Sequence, residues 1–146
     1  MSDELTMRDS IEIRARPEQI WRVLTDPELT KQFMFGCEAI SDWKAGSSLE
    51  WRVASNGVVQ VKGAIEKIEP PRTLHYTAFA PNSPYADEPS NYLLVTLDLV
   101  AEGDRTTLNV SQGDFATVED GQKRYEDSAA GWKSVLPKIK QLSEAF

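Results

Sequence analysis

The sequence is short of the residues that most often carry chemistry: its 146 residues include one cysteine and one histidine. A lone Cys37 closes no internal disulfide and fits a reducing compartment, so the cytoplasm is the expected location. A lone His75 rules out a histidine cluster, and no spaced set of carboxylates resembles a calcium loop, so no metal is expected. Positive charge is also scarce. The 16 Lys and Arg stand against 23 Asp and Glu, a formal net charge of -7, and that balance repels phosphate backbones and anionic lipid surfaces. The longest basic run is the Lys123-Arg124 pair, so nucleic acid is not an expected partner. No apolar run approaches the roughly 20 residues of a membrane span, and no membrane insertion is expected. Met1-Ser2-Asp3-Glu4 is not a basic leader and no apolar segment follows it, so no signal peptide is expected either. Gly113 and Gly121 lack the strand-to-helix spacing of a phosphate-binding loop, and no cofactor is expected.

What is present describes one ordinary globular unit. Forty per cent of the residues are hydrophobic and 27 per cent charged, and no stretch shifts composition enough to mark a second domain, so residues 1–146 read as a single domain. The acids Asp3, Glu4, Asp87, Glu88, Glu119, Asp120, Glu126 and Asp127 read as a solvated face that keeps the protein soluble.

Hydrophobic period then separates strands from helices. Ile11 and Ile13 alternate with Glu12 and Arg14, which predicts a strand over 6–15. Pro17 stands at a helix's first position, and Ile20, Trp21 and Leu24 recur at helical spacing until Asp26-Pro27. A second short helix carries Leu29 and Phe33 and stops at Phe35-Gly36. Leu49, Trp51 and Val53 predict a strand over 48–54. Asn56-Gly57 turns it into a partner over 58–68, and Pro70-Pro71 separates that from a strand over 72–79. Residues 80–90, with Pro81, Pro84 and Pro89, read as a rim or lid loop. Strands over 91–100 and 105–112 flank the Glu102-Gly103-Asp104 turn, making six strands in all. Tyr125, Ala129, Trp132, Leu136, Ile139 and Phe146 form one apolar stripe of a terminal helix. Thr117 is its expected N-cap, and Pro137 is expected to kink it by removing the bond to the Lys133 carbonyl.

Three segments carry a family resemblance. Ala15-Arg-Pro-Glu-Gln-Ile-Trp-Arg-Val-Leu-Thr-Asp-Pro27, Ile68-Glu-Pro-Pro-Arg-Thr-Leu74 and Gly131-Trp-Lys-Ser-Val-Leu136 resemble the first-helix, mid-chain-turn and terminal-helix signatures of the START-like (SRPBCC) superfamily. Within it they are similar to the branch named for the activator of the heat-shock protein 90 ATPase. The resemblance spans about residues 6–142 and implies an α+β helix-grip fold. An antiparallel sheet of six to seven strands would wrap a long C-terminal helix, with two short helices after the first strand. Superfamily members bind lipids and hormones, cyclise polyketides or assist chaperones, so function rests on the site.

That site is expected between sheet and terminal helix, with entry near the 80–90 loop. The residues expected to line it are Phe33, Trp51, Val53, Leu74, Tyr76, Val95, Val110, Gln112, Tyr125, Trp132 and Leu136. They form an apolar surface with a few polar tips, the usual lining of a small-molecule pocket. The leading expectation is binding of a small hydrophobic molecule, with no catalytic residue assigned. The alternative is an aromatase-, cyclase- or hydrolase-like enzyme using the same cavity, with Tyr76, Gln112 or Tyr125 positioning the substrate. A chaperone partner is implied by the resemblance alone, and the chain has space for no separate chaperone-binding domain. A homodimer could be covered by Tyr92 and Leu94 on the outer face. His75 is expected on the outer face and Cys37 as a small buried residue.

Overall fold

The computed structural model describes residues 4–145; Met1 to Asp3 and Phe146 lie outside them. Seven antiparallel strands form one sheet in the order β1-β7-β6-β5-β4-β3-β2. Neighbours from β2 to β7 follow chain order, β5 and β6 being joined through the long 79–92 segment, and β1 (Met7–Ile13) joins the far end by pairing with β7 (Arg105–Gly113), Ile11 opposite Leu108. The helix α1 (Pro17–Thr25) begins where the Gln19 side chain accepts the Arg16 backbone N–H at 2.9 Å, and it buries Ile20, Val23 and Leu24. Asp26 ends it and caps α2 (Pro27–Phe33), its carboxylate accepting the Glu28 N–H at 3.0 Å.

The central strands are β3 (Ser48–Val53), β4 (Val59–Glu69), β5 (Thr73–Ala78) and β6 (Leu93–Glu102). Asn56-Gly57 makes the β3–β4 turn as expected: Gly57 has φ +74°, and the Asn56 side chain accepts the Val58 N–H at 2.9 Å. Two register shifts in β4, at Gln60 and Glu66, keep Val61, Ile65 and Ile68 on the concave side of a strongly bent strand. Gly63 sits where that bend brings backbones together, since a Cβ there would lie 1.7 Å from the Thr77 carbonyl oxygen. The concave face then closes on α3 (Gly121–Glu144), burying Trp132, Val135, Leu136 and Ile139 against Leu74, Tyr76, Val95, Leu97 and Val110. The fold is the expected helix grip.

Three local expectations are corrected. The seventh strand, β2 (Cys37–Ser41), pairs with β3. Its inward residues Cys37 and Ala39 are small and its large Ile40 faces out, so its alternation is faint. The terminal helix starts at Gly121, three residues later than an N-cap at Thr117 would set it. Thr117 belongs to a single 3-10 turn, Phe115–Thr117, and the capping position falls to Asp120 in the left-handed region at φ 55°. Asn91 precedes β6 instead of starting it, within the turn Pro89–Asn91. There its buried amide donates to the Ala86 carbonyl at 2.9 Å and accepts the Glu119 N–H at 3.2 Å. α3 runs through Pro137 as one helix; Pro137 and Lys133 are both exposed, so the carbonyl that loses its bond faces water.

Candidate functional site

A cleft of about 390 Å³ lies between α3 and the sheet, within the usual range of ligand pockets. The strands supply Trp51, Val61, Tyr76, Ala78, Val95 and Gln112. The helix supplies Asp127, Ser128, Gly131, Trp132 and Val135, and Met34 and Phe35 close one end. Phe35, Ala80 and Asp127 are exposed, so the cleft reaches the surface. A second hollow of about 370 Å³ adjoins it, sharing Val61, Ala78, Gln112 and Ser128 and running under Ser83, Pro84 and Tyr85 of the 80–90 loop.

The helix wall is set back because its residues there are small. Ser128 and Gly131 stand three apart on one face of α3, and a Cβ built on Gly131 would meet nothing within 4 Å. Glycine inside a helix costs about 0.5–1 kcal/mol relative to alanine. No close approach requires it at 131, so the space it leaves is its one visible effect.

The polar groups are few and mostly engaged. Trp132 donates its indole N–H to Gln112 Oε1 at 3.0 Å, and the Ser128 hydroxyl donates to the same oxygen. Tyr76 lies beside Trp51, ring centroids 6.4 Å apart, and Trp51 in turn meets the edge of Phe33 at 6.5 Å. Burial pushes the Tyr76 phenol up from its ordinary value, so it stays protonated. Asp127 at the mouth is paired with Lys123 at 2.8 Å.

The loop over the second hollow is pinned at both ends. Asp87 accepts from Lys62 at 2.5 Å and from the Tyr92 hydroxyl at 2.6 Å, while Tyr92 stacks on Phe79 with centroids 5.0 Å apart. Tyr85 donates to Asp120 at 2.8 Å, and the Arg124 guanidinium lies 4.6 Å above its ring. Arg124 also donates to the Asn91 carbonyl at 2.9 Å. Six acids and bases here, Lys62, Asp87, Asp120, Lys123, Arg124 and Asp127, thus have local partners beyond solvent.

Of the residues expected to line the site, Trp51, Tyr76, Val95, Gln112 and Trp132 do so together. Phe33 and Leu74 surround only a deeper void of about 10 Å³ with Trp51, Tyr76 and Trp132. Val110 and Leu136 are packed into the core, Val53 lies partly buried opposite Cys37, and Tyr125 meets Phe115 edge-on at 5.7 Å. The lining residues outside that expected set are Met34, Phe35, Val61, Ala78, Ala80, Asp127, Ser128, Gly131 and Val135. An interior helical glycine was the one signal that could have marked that wall. His75 sits on the outer face at 3.1 Å from Asp98, away from the cleft. Cys37 is buried, and desolvation raises its thiol. Among the described residues no group of three or more His, Cys, Asp and Glu could hold a metal ion, and no helix is long and apolar enough to cross a membrane.

A sheet wrapped on a terminal helix with a cleft between them defines a helix-grip protein of the START-like class. The chain belongs to the family of activator of Hsp90 ATPase homolog 1-like proteins, whose family model matches residues 14–144. No curated protein matches it. Among solved structures, a protein of Cytophaga hutchinsonii is 29% identical with TM-score 0.78, covering 99% of this chain and 97% of its own. An HSP90 activator from Plasmodium falciparum is 16% identical with TM-score 0.69, covering 94% and 95%. The Aha1 dimer from Colwellia psychrerythraea is 18% identical with TM-score 0.74, covering 96% of each chain.

Proposed function

We propose that this protein binds a small, largely apolar molecule in the cleft between the sheet and α3, entering beside the 80–90 loop. The observation that carries the reading is a cleft of about 390 Å³ whose helix wall is left open at Gly131, with nothing within 4 Å of where a Cβ would stand. Interiors ordinarily close such space, because each unfilled volume forfeits dispersion contacts. A ligand restores them.

Native mass spectrometry of freshly purified protein, followed by a thermal-shift screen of one- and two-ring apolar compounds, tests this. A ligand at about one hundred times its Kd stabilises the native state by roughly 2.7 kcal/mol, and at about 3 °C per kcal/mol for a chain of this length Tm rises by about 8 °C. No co-purified compound and no shift across the screen would sink the reading.

A second reading draws on the family match and on the Plasmodium relative described as an HSP90 activator: this domain would engage the chaperone. Stimulation of the chaperone's ATPase by purified protein decides it, and no stimulation and no binding rejects it. The dimeric Colwellia relative makes a homodimer the matching expectation, which sedimentation velocity checks.

A further inference from the structure

The polar atoms of the cleft say what kind of molecule suits it. Tyr76 is 3 % exposed and its hydroxyl hydrogen-bonds to no described residue, yet that hydroxyl is not among the fully enclosed orphan atoms. Some of its surface is therefore accessible, and the spaces that Tyr76 lines are the cleft and the small void beneath it. Burial keeps the phenol protonated and so a donor through neutral pH.

Gln112 is constrained by its partner. An indole N–H can only donate, so the amide atom 3.0 Å from Trp132 Nε1 must be oxygen. That oxygen also takes the Ser128 hydroxyl. The amide nitrogen, with no partner among the described residues, is left with its N–H bonds unspent at the cleft wall. Two uncharged donor groups thus remain without acceptors. Among the described residues, the one ionic side chain lining this cleft is Asp127, at its mouth. An anion entering under the 80–90 loop would pass Lys123 and Arg124 in the adjoining hollow, which are already engaged by Asp127 and by Tyr85 and the Asn91 carbonyl. Inside the cleft it would find no cation among the described residues, and a bare charge in an apolar cavity is strongly disfavoured.

We infer that the occupant is an uncharged, mainly hydrocarbon molecule carrying a hydrogen-bond acceptor, such as a ketone carbonyl, seated against the Tyr76 hydroxyl. This rests on the ligand-binding reading above and narrows it. The acceptor gives up water on entry, and Tyr76 replaces that bond; the Gln112 amide lines the same cleft.

Titration calorimetry on wild type and Tyr76→Phe with three probes tests it: 2-tetralone, its hydrocarbon counterpart tetralin, and the anion 2-naphthoate. The phenylalanine variant keeps the fold, since the hydroxyl has no protein partner to lose, and its melting curve verifies this. In wild type 2-naphthoate should bind at least tenfold more weakly than 2-tetralone. Tyr76→Phe should weaken 2-tetralone about tenfold, the worth of one well-formed hydrogen bond, and leave tetralin within about twofold. Ketone binding indifferent to Tyr76→Phe, or naphthoate binding as tightly as the ketone, overturns the inference while apolar binding stands. If neither tetralin nor 2-tetralone binds wild type, the ligand-binding reading fails with it.

Discussion

Gly131 offers a perturbation whose effects on stability and on binding run in opposite directions. Gly131→Ala places a methyl group where nothing lies within 4 Å and removes glycine's backbone entropy, a gain of about 1 kcal/mol. Tm should rise by about 3 °C for a chain near this length. Gly131→Leu adds burial of an apolar side chain, about 1.5–3 kcal/mol, less about 0.5–1 kcal/mol of rotamer freedom. The leucine variant should therefore be about 2 kcal/mol more stable than wild type by urea unfolding. The same side chain fills the wall opposite Tyr76 and Trp51, so 2-tetralone affinity should fall by more than tenfold. Such a trade is common where a site is held open against packing. If both variants are less stable than wild type, the space is not open. If Gly131→Leu is stable and binds as wild type does, glycine is not what shapes the cleft.

Other substitutions and conditions test separate parts. Gln112→Leu removes the acceptor of both Trp132 and Ser128, leaving a buried indole N–H unmatched, so urea unfolding should show a loss of about 1–3 kcal/mol; an unchanged midpoint contradicts the hydrogen bonding described. Cys37 is buried with its thiol raised by desolvation, so iodoacetamide at pH 8 should label native protein far more slowly than urea-unfolded protein, and equal rates would place the thiol at the surface. Asp87 is held below the usual aspartate range by its bond from Lys62 and then by that from Tyr92. Its stabilising effect is therefore present above the unfolded value of about 3.9 and fades as pH falls through the lower folded one. Carbon NMR titration of that carboxyl should give a midpoint below 3.9, and one at or above it would mean the loop anchor does not form.

Much of the fold was legible because strong alternation and strong turns coincide. Leu74, Tyr76 and Ala78 bury on one side of β5 as their period requires, and Asn56-Gly57 and Glu102-Gly103-Asp104 turn where their backbone angles allow. β2 escaped because its inward residues are small, a consequence of α2 packing so closely that Thr30 Oγ1 accepts the Ala39 N–H at 2.9 Å. The start of α3 escaped because Asp120 spends its carboxylate on Tyr85 of a distant loop, a contact no local capping rule contains. The site was half legible. Periodicity finds residues that face inward, so it named Trp51, Tyr76 and Trp132, but it equally named Leu74, Val110 and Leu136, which fill the core. What separates cleft from core is a lack of side chain at Ser128 and Gly131, and hydrophobic patterning is blind to that.

The measurement closest to the central claim is a proton–nitrogen NMR titration of the wild-type protein with one- and two-ring hydrocarbons and ketones. Two signals sit at the cleft: the Gly131 amide and the Trp132 indole N–H. At least one compound should shift both saturably and leave the outer-face amides of His75 and Asp98 in place. Shifts confined to the outer face, or none at millimolar compound, would contradict ligand binding between sheet and helix.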